Sequence, residues 1–365
     1  MITPDQDAGS VRMLNLLHIL RRDGHHVTFV ADNLDGDPRY ANQLRAMGVE
    51  VLHAPFARNV RAVLRERGPT LDTIVLCRYY IATQYVHSIR SYAPKAKIVF
   101  DTVDLHFVRE EREAAINGNP AMARSAAATR TRELAVIARS DITLVVSDFE
   151  QRLLASLLPG ARVDIISTIQ SPAVTNASAD GRAGILFVGG FRHPPNVDAV
   201  KWYITEVLPH LRRRLPDAIT TIVGSNMPDE IAALQRDGVL IRGFVEDTAP
   251  LLGAARVSIA PLRFGAGVKG KINEAMNHGI PVVATTCAVE GMKLRPGEDV
   301  LVADDAGVER DDEDRALAAD RRSSYRALSS ALAPLHDPGF EIELGLLVAA
   351  VDAPDTPGTG SDALV

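Results

Sequence analysis

A chain of 365 residues is long enough for two α/β domains rather than one. With 46% hydrophobic and 24% charged residues it has the balance of a soluble globular protein, and a formal charge of −6 excludes the dense basic field of a nucleic-acid binder. The two cysteines, Cys77 and Cys287, lie far apart in apolar stretches, which predicts small buried hydrophobes in a reducing cytoplasm rather than a disulfide or a metal pair.

The first half alternates helix and strand. Ser10 is placed to cap a helix in which Leu14, Leu17 and Leu20 repeat at helical spacing, and Asp23-Gly24 ends it. A β-rich run at 26–30 follows, then a helix over 40–47 and strands at 49–52, 73–77 and 97–100. The last two are apolar throughout, as expected of a parallel sheet covered on both faces. A long helix over 121–139 and a strand at 142–146 complete a doubly wound domain over 1–169. Arginines cluster at Arg58, Arg61, Arg65 and Arg67, and again at Arg212, Arg213 and Arg214. Such clusters read first as solvated helix faces and second as docking on an anionic membrane surface.

At 170–183 the text lapses into Ser, Pro, Asn, Ala and Gly, the composition of an interdomain linker. A second alternating series fills 184–305, with strands at 185–188, 220–223, 239–241, 257–259 and 281–284 and helices at 196–214 and 271–278. Two Rossmann-like domains in tandem form a cleft where the carboxyl ends of both sheets face each other. Both ends depart from the pattern. The chain opens in the loop that normally follows a buried first strand, so that strand is expected to be missing. The stretch 306–365 has little sustained periodicity and is expected to pack poorly; its charge run at 310–315 reads as solvated rather than metal-binding. No segment has the apolar length of a membrane span, and the opening MITPDQDAGS has no signal-peptide pattern.

Chemistry concentrates in APLRFGAGVKGKINEAMNHGIPVVATTCAVEG, residues 260–291. A strand ends near Pro261, a loop holds Gly265, Gly267, Val268 and Gly270, and a helix starts near Lys271. Glycines let the backbone approach a ligand, and free amides at a helix N-terminus bind phosphate. Lys269 and Lys271 add charge for a diphosphate, and Glu274 can accept hydrogen bonds from two vicinal ribose hydroxyls. The plainer alternative is a tight strand-to-helix connection carrying surface lysines. Gly9 and Ser10 point another helix N-terminus toward the cleft, where it can meet donor phosphate or acceptor. His106 follows the strand ending at Phe100-Asp101, with Asp104 beside it; Ser147 and Glu150 lie just past another strand. Arg109, Glu110 and Arg112 read as a charged helix face.

These blocks, with PDQDAGSVRMLNLLHILRRDGHHVTFV, FDTVDLHFVREER, LVVSDFE, ILFVGGFRHPPNVDAVKWYITEVLPHL, IVGSNMP and IRGFVEDTAPLL, resemble the family 4 glycosyltransferases of GT-B fold, particularly bacterial enzymes of surface-polysaccharide assembly. The resemblance covers about residues 3–305. It implies a retaining transfer from a nucleotide diphosphate sugar to a glycan or lipid-linked acceptor, with no bound metal and no cofactor besides that co-substrate. With the cysteine usage and the arginine clusters noted above, the expected place is the cytoplasm, with peripheral contact at the inner membrane face as the second reading of those clusters. His106, Lys269 and Glu274 take the catalytic positions, Gly190 and Arg192 join the donor site, and Gly243, Phe244 and Val245 line the nucleobase. Two departures stand out. The first glutamate of the family's Glu-x7-Glu pair falls at Ala266, and of an Arg and Lys usual after the first strand of the second domain only Arg192 is present.

Three rival readings are weaker. A nicotinamide oxidoreductase lacks its G-x-G-x-x-G. A nucleotide-sugar epimerase of the same fold would have only His106 and Asp101 as acid/base candidates. A degenerate, nucleotide-binding relative would draw on Ala266 and the two unusual ends.

Overall fold

The structure, a computed structural model, describes residues 1–170 and 181–306. Most of the linker expected at 170–183 and nearly all of the tail expected at 306–365 lie outside the described residues.

The first Rossmann-like domain runs α1 (Ala8–Arg22), β1 (Thr28–Val30), α2 (Pro38–Ala46), β2 (Glu50–Leu52), α3 (Val60–Arg67), β3 (Thr73–Cys77), α4 (Tyr79–Tyr92), β4 (Lys97–Asp101), α5 (His106–Asn117), α6 (Pro120–Ile137), β5 (Ile142–Val145), α7 (Asp148–Leu157) and β6 (Val163–Ile165). Its strands are all parallel but fall into two sheets, β1–β2 and β3–β4–β5–β6. The apolar core divides in the same way. Leu17, Ala41, Leu44, Val49 and Val51 pack around the short sheet, and Ile89, Ile98, Phe100, Leu105, Val145 and Leu154 around the longer one. Polar ties cross the division: Arg12 Nη1 to Asp101 Oδ2 (2.5 Å), Arg67 Nη1 to Glu50 Oε2 (2.8 Å) and Tyr85 Oη to Asp32 Oδ1 (2.6 Å).

Local chemistry sets the element ends. Asp7, not Ser10, caps α1, its carboxylate accepting from the Ser10 amide. Asp7 sits at the non-helical residue just before the helix, where its carboxylate reaches the free amides of the first turn, and Ser10 is already inside that turn. Gly118, left-handed at φ 58°, ends α5, and Asn119 with Pro120 at once starts α6.

The second domain runs β7 (Ile185–Val188), α8 (Pro194–Trp202), α9 (Leu208–Arg214), β8 (Thr220–Val223), α10 (Asp229–Ala232), β9 (Val239–Gly243), α11 (Ala249–Ala254), β10 (Val257–Ala260), α12 (Gly270–Asn277), β11 (Val282–Ala284), α13 (Thr286–Val289) and β12 (Leu301–Val302). One parallel sheet of order β12-β11-β10-β7-β8-β9 holds it together. The helix expected at 196–214 is interrupted by a π turn at Tyr203–Val207. Pro209 explains the break, since it has no N–H to donate to the carbonyl four residues back. No described helix is long and apolar enough to cross a membrane.

Candidate functional site

The loops after β4 and β5 in the first domain face those after β7 and β10 in the second. Lys269 caps the N-terminus of α12 and is buried, its Nζ donating to the carbonyls of Gly267 (2.6 Å) and Ala266 (3.1 Å). Lys271 Nζ donates to Asn196 Oδ1 (2.6 Å) and lies 3.9 Å from the centre of the Phe187 ring. Neither ammonium has a carboxylate at ion-pair distance among the described residues. Burial lowers both pKa values, that of Lys271 to about 7 with Lys269 as the second cause. Two adjacent lysines enclosed at a helix N-terminus, the second about half charged at neutral pH until an anion arrives, form an electrostatic demand for an anion.

Glu274, one turn into α12, accepts from Thr248 Oγ1 (2.7 Å), which brings it beside the chain leaving β9. That chain carries Gly243 (φ 66°), the 47% exposed Phe244 and Val245, which packs on the second-domain core. Gly190 accepts from Asn196 Nδ2 (2.7 Å) and lies against the carbonyl of Gln6. Arg192 is exposed, whereas the next residue, His193, turns inward. Phe191 is buried against Phe187, and a turn closed by the His193 amide on the Gly190 carbonyl leaves Arg192 outside and turns His193 back. Burial, with Arg109 next in effect, lowers His193 to about 3.

On the opposite wall the loop between β4 and α5 is held by two buried carboxylates. Glu133 accepts from the amides of His106 (3.3 Å) and Phe107 (3.0 Å); Glu150 accepts from those of Leu105 and Val146 (both 3.1 Å). Asp104 pairs with Arg109 and approaches His106 Nδ1 at 3.4 Å. Burial opposes the charge on Asp104, but Arg109 and then His106 hold its pKa down. Burial lowers His106 to about 4, so its imidazole is neutral at neutral pH, with the rings of Tyr79 and Tyr80 edge-on at 5.0 and 5.8 Å. Two non-glycine residues with positive φ, Arg78 (72°) and Val103 (66°), both sit at these strand ends. Such strain gathers where a site fixes its backbone, and it is unusual for a β-branched valine. Ser10 is buried with Oγ donating to Asp7 Oδ2, and Gly9 lies beside Arg78 and Val103.

The two walls touch. A Cβ on Gly267 (φ 70°) would come within 3.0 Å of Asp104 Cβ, and Ala266 packs into the first-domain core. Gly265 and Val268 flank this contact, and Gly270 meets Ala8. Arg112 is more than a charged helix face. Its guanidinium grips Glu290 with two bonds of 2.8 Å, donates to the Gly265 carbonyl (2.7 Å) and stacks on Phe149. No local sequence signal marks it, because its hydrogen-bond partners lie more than 150 residues away.

Burial raises Glu133 to about 8 and Glu150 to about 7. Both values exceed the unfolded value of about 4.3, so the folded chain retains protons that the unfolded chain releases, and the contribution of these two carboxylates to stability falls as pH rises toward 8, by up to about 1.4 kcal/mol per pH unit each. Lys271 acts with the opposite sign over the same window, because the unfolded lysine keeps the proton that the folded one gives up, and the depressed histidines add to it until the unfolded histidines are neutral, above about pH 7.5. The carboxylate contribution is therefore read as a difference between two chains. Relative to the parent, Glu133→Gln should gain stability as pH rises from about 6.5 to about 8. Parallel denaturant-derived curves for parent and variant would refute the assignment.

Residues 182–320 match the family described as Glycosyl transferases group 1. Over 130 residues, 33% of this chain, the sequence is 30% identical to an uncharacterised 44.6 kDa protein in the cps region of Klebsiella pneumoniae. That stretch is 34% of the relative, so the chain spans about a third of its length in the match. Among solved structures, sucrose-phosphate synthase from Thermosynechococcus elongatus superposes with a TM-score of 0.61 at 17% identity, covering 88% of this chain and 86% of that one. Anabaena HepE in complex with UDP and glucose gives 0.59 at 14% identity over 91% and 86%, and a glycosyltransferase from Rickettsia africae gives 0.55 at 13% over 89% and 83%. At these identities the structural likeness is one of fold. The chain has the GT-B fold, two Rossmann-like domains facing a cleft, and its second domain lies within the stretch that matches the Glycosyl transferases group 1 model.

Proposed function

We propose that the chain moves a glycosyl group from a nucleoside diphosphate sugar to a glycan or lipid-linked acceptor, with retention at the anomeric carbon. The observation that carries this reading is the pair Lys269 and Lys271, enclosed at the N-terminus of α12 without a carboxylate partner among the described residues. As the bond from the anomeric carbon to the diphosphate oxygen breaks, charge grows on the leaving diphosphate, and the two ammonium groups and the α12 amides stabilise it most at that moment. The positive charge the leaving group needs is on the protein itself. The acceptor oxygen bonds on the face the diphosphate leaves, and its proton passes to a departing phosphate oxygen. Glu274 takes the ribose and the 243–245 backbone lines the base. The neutral His106 and His193 serve as uncharged hydrogen-bond partners for the sugar or acceptor.

A melting screen across UDP-, GDP-, ADP- and dTDP-sugars, paired with an assay for released nucleoside diphosphate, tests the reading. One nucleotide class should raise Tm, by about 2.7 kcal/mol of stabilisation at a hundred times its Kd. Glu274→Ala should weaken that nucleotide about 10-fold or more, the loss of charged hydrogen bonds, and change turnover little at saturation. Stabilisation without release would make the chain a nucleotide-binding protein, and no shift with any nucleotide would remove the site altogether.

A further inference from the structure

On a chain of formal charge −6, the packed helices α3 and α4 and the loop before them are basic. Arg58, Arg61, Arg65 and His87 are exposed, and none of the three arginines has a carboxylate partner among the described residues. α4 contains no acid and α3 only Glu66; Asp32 at the border is engaged by Tyr85 Oη. Arg61 crosses the seam to Ser88 and Gln84 and stacks 5.9 Å over Tyr85, while Arg65 stacks 5.3 Å over Tyr92. At the head of this face Phe56 is 78% exposed, with the His53 ring edge-on to it, and Tyr80 is 46% exposed at the start of α4.

A lone exposed apolar residue needs no explanation. A phenylalanine standing in water beside a belt of unneutralised arginines, with tyrosines along the same pair of helices, is a different pattern. Apolar tips enter the headgroup boundary, arginines pair with anionic lipid, and tyrosines favour the interface between the two. A soluble polyanion would use the arginines and leave Phe56 without a role. We propose that α3, α4 and the Phe56 loop dock on an anionic lipid surface, Phe56 entering the headgroup region and Arg58, Arg61 and Arg65 meeting lipid phosphates. Because α4 begins at Tyr79 and Tyr80, whose rings flank His106, this face leads to the wall of the cleft. Docking would therefore bring a membrane-borne acceptor to the site; only that link rests on the transfer reaction proposed above.

Sedimentation of the full chain with vesicles of phosphatidylcholine, alone or mixed with phosphatidylglycerol, is the test. Binding is expected only to the anionic vesicles, and it should fade as salt approaches about 0.5 M. Each Arg→Ala change should weaken it about 5-fold, and Arg58→Ala, Arg61→Ala and Arg65→Ala together about 100-fold. Phe56→Ser should weaken it about 10-fold at low salt. Equal binding to phosphatidylcholine alone, or unchanged binding by the triple variant, overturns the proposal. So does full binding by Phe56→Ser with competition by heparin, which would mark a polyanion surface. Melting curves of the variants exclude misfolding, and nucleotide titration of the same preparations reports separately on the transfer reading.

Discussion

Lys269→Met is expected to lower turnover about 10²- to 10³-fold and at the same time to raise the melting temperature. The opposite signs follow from one fact. Lys269 is buried with its ammonium held only by the carbonyls of Ala266 and Gly267, and burial lowers its pKa. A buried charge without a counter-ion is a standing cost to the folded state. Methionine keeps most of the volume and removes that cost, a gain of about 1 kcal/mol corresponding to about 1–2 °C in a chain of 365 residues. The same charge is what a leaving diphosphate needs, so its loss appears in kcat, and product-release kinetics beside a melting curve read both effects from one preparation. Unchanged turnover would remove Lys269 from the site. A large fall in melting temperature would show instead that the lysine is chiefly structural.

Arg12→Ala is expected to cost about 3–5 kcal/mol of stability. Arg12 and Asp101 form an ion pair of 2.5 Å with side chains 3% and 0% exposed. Arg12 also donates to the Ile166 carbonyl at 2.8 Å, so one guanidinium ties α1 to β4 and to the chain leaving β6. The other carboxylate oxygen of Asp101 has no hydrogen-bond partner among the described residues. Removing Arg12 would leave the aspartate charged, buried and accepting only a long 4.0 Å contact from Cys77 Sγ. Domains of ordinary stability have about 5–15 kcal/mol in total, so the loss is a large share. Guanidinium denaturation measures it, and Asp101→Asn added to Arg12→Ala should recover part by removing the stranded charge. A cost below about 1 kcal/mol would mean that water reaches the pair.

The second domain was legible because its signals are local. Strand-length apolar runs, a glycine-rich loop and a lysine-bearing helix start lie within one stretch, and periodicity and turn chemistry act over such distances. The residues that hold the site in place left no such trace. Arg12 and Asp101 are 89 positions apart, and Glu133 looks like any other charge on a long helix. Glu150 has the position of a plain helix-start carboxylate: Ser147 caps α7, but the glutamate turns back to bind the Leu105 amide rather than solvent. Arg192 and His193 show the limit at single-residue scale. Charge favoured the arginine, and the packing of Phe191 decided for the histidine. The division of the first sheet matches a sequence in which the β1 and β2 regions are short and their flanks polar.

The seam between the walls changes what a measured affinity means. With Arg112 locked on Glu290 and Gly265, and Gly267 seated against Asp104, the loop that would cradle phosphate is occupied by the opposite wall. If a nucleotide enters only when this seam is open, its apparent Kd is the intrinsic Kd divided by the fraction of molecules that are open. Residues that never touch the ligand would then set part of its affinity. On that account Arg112→Ala, which removes the clasp, is expected to tighten apparent nucleotide binding with every direct contact left as it was, and an unchanged or weakened Kd by titration would show that the seam does not gate entry.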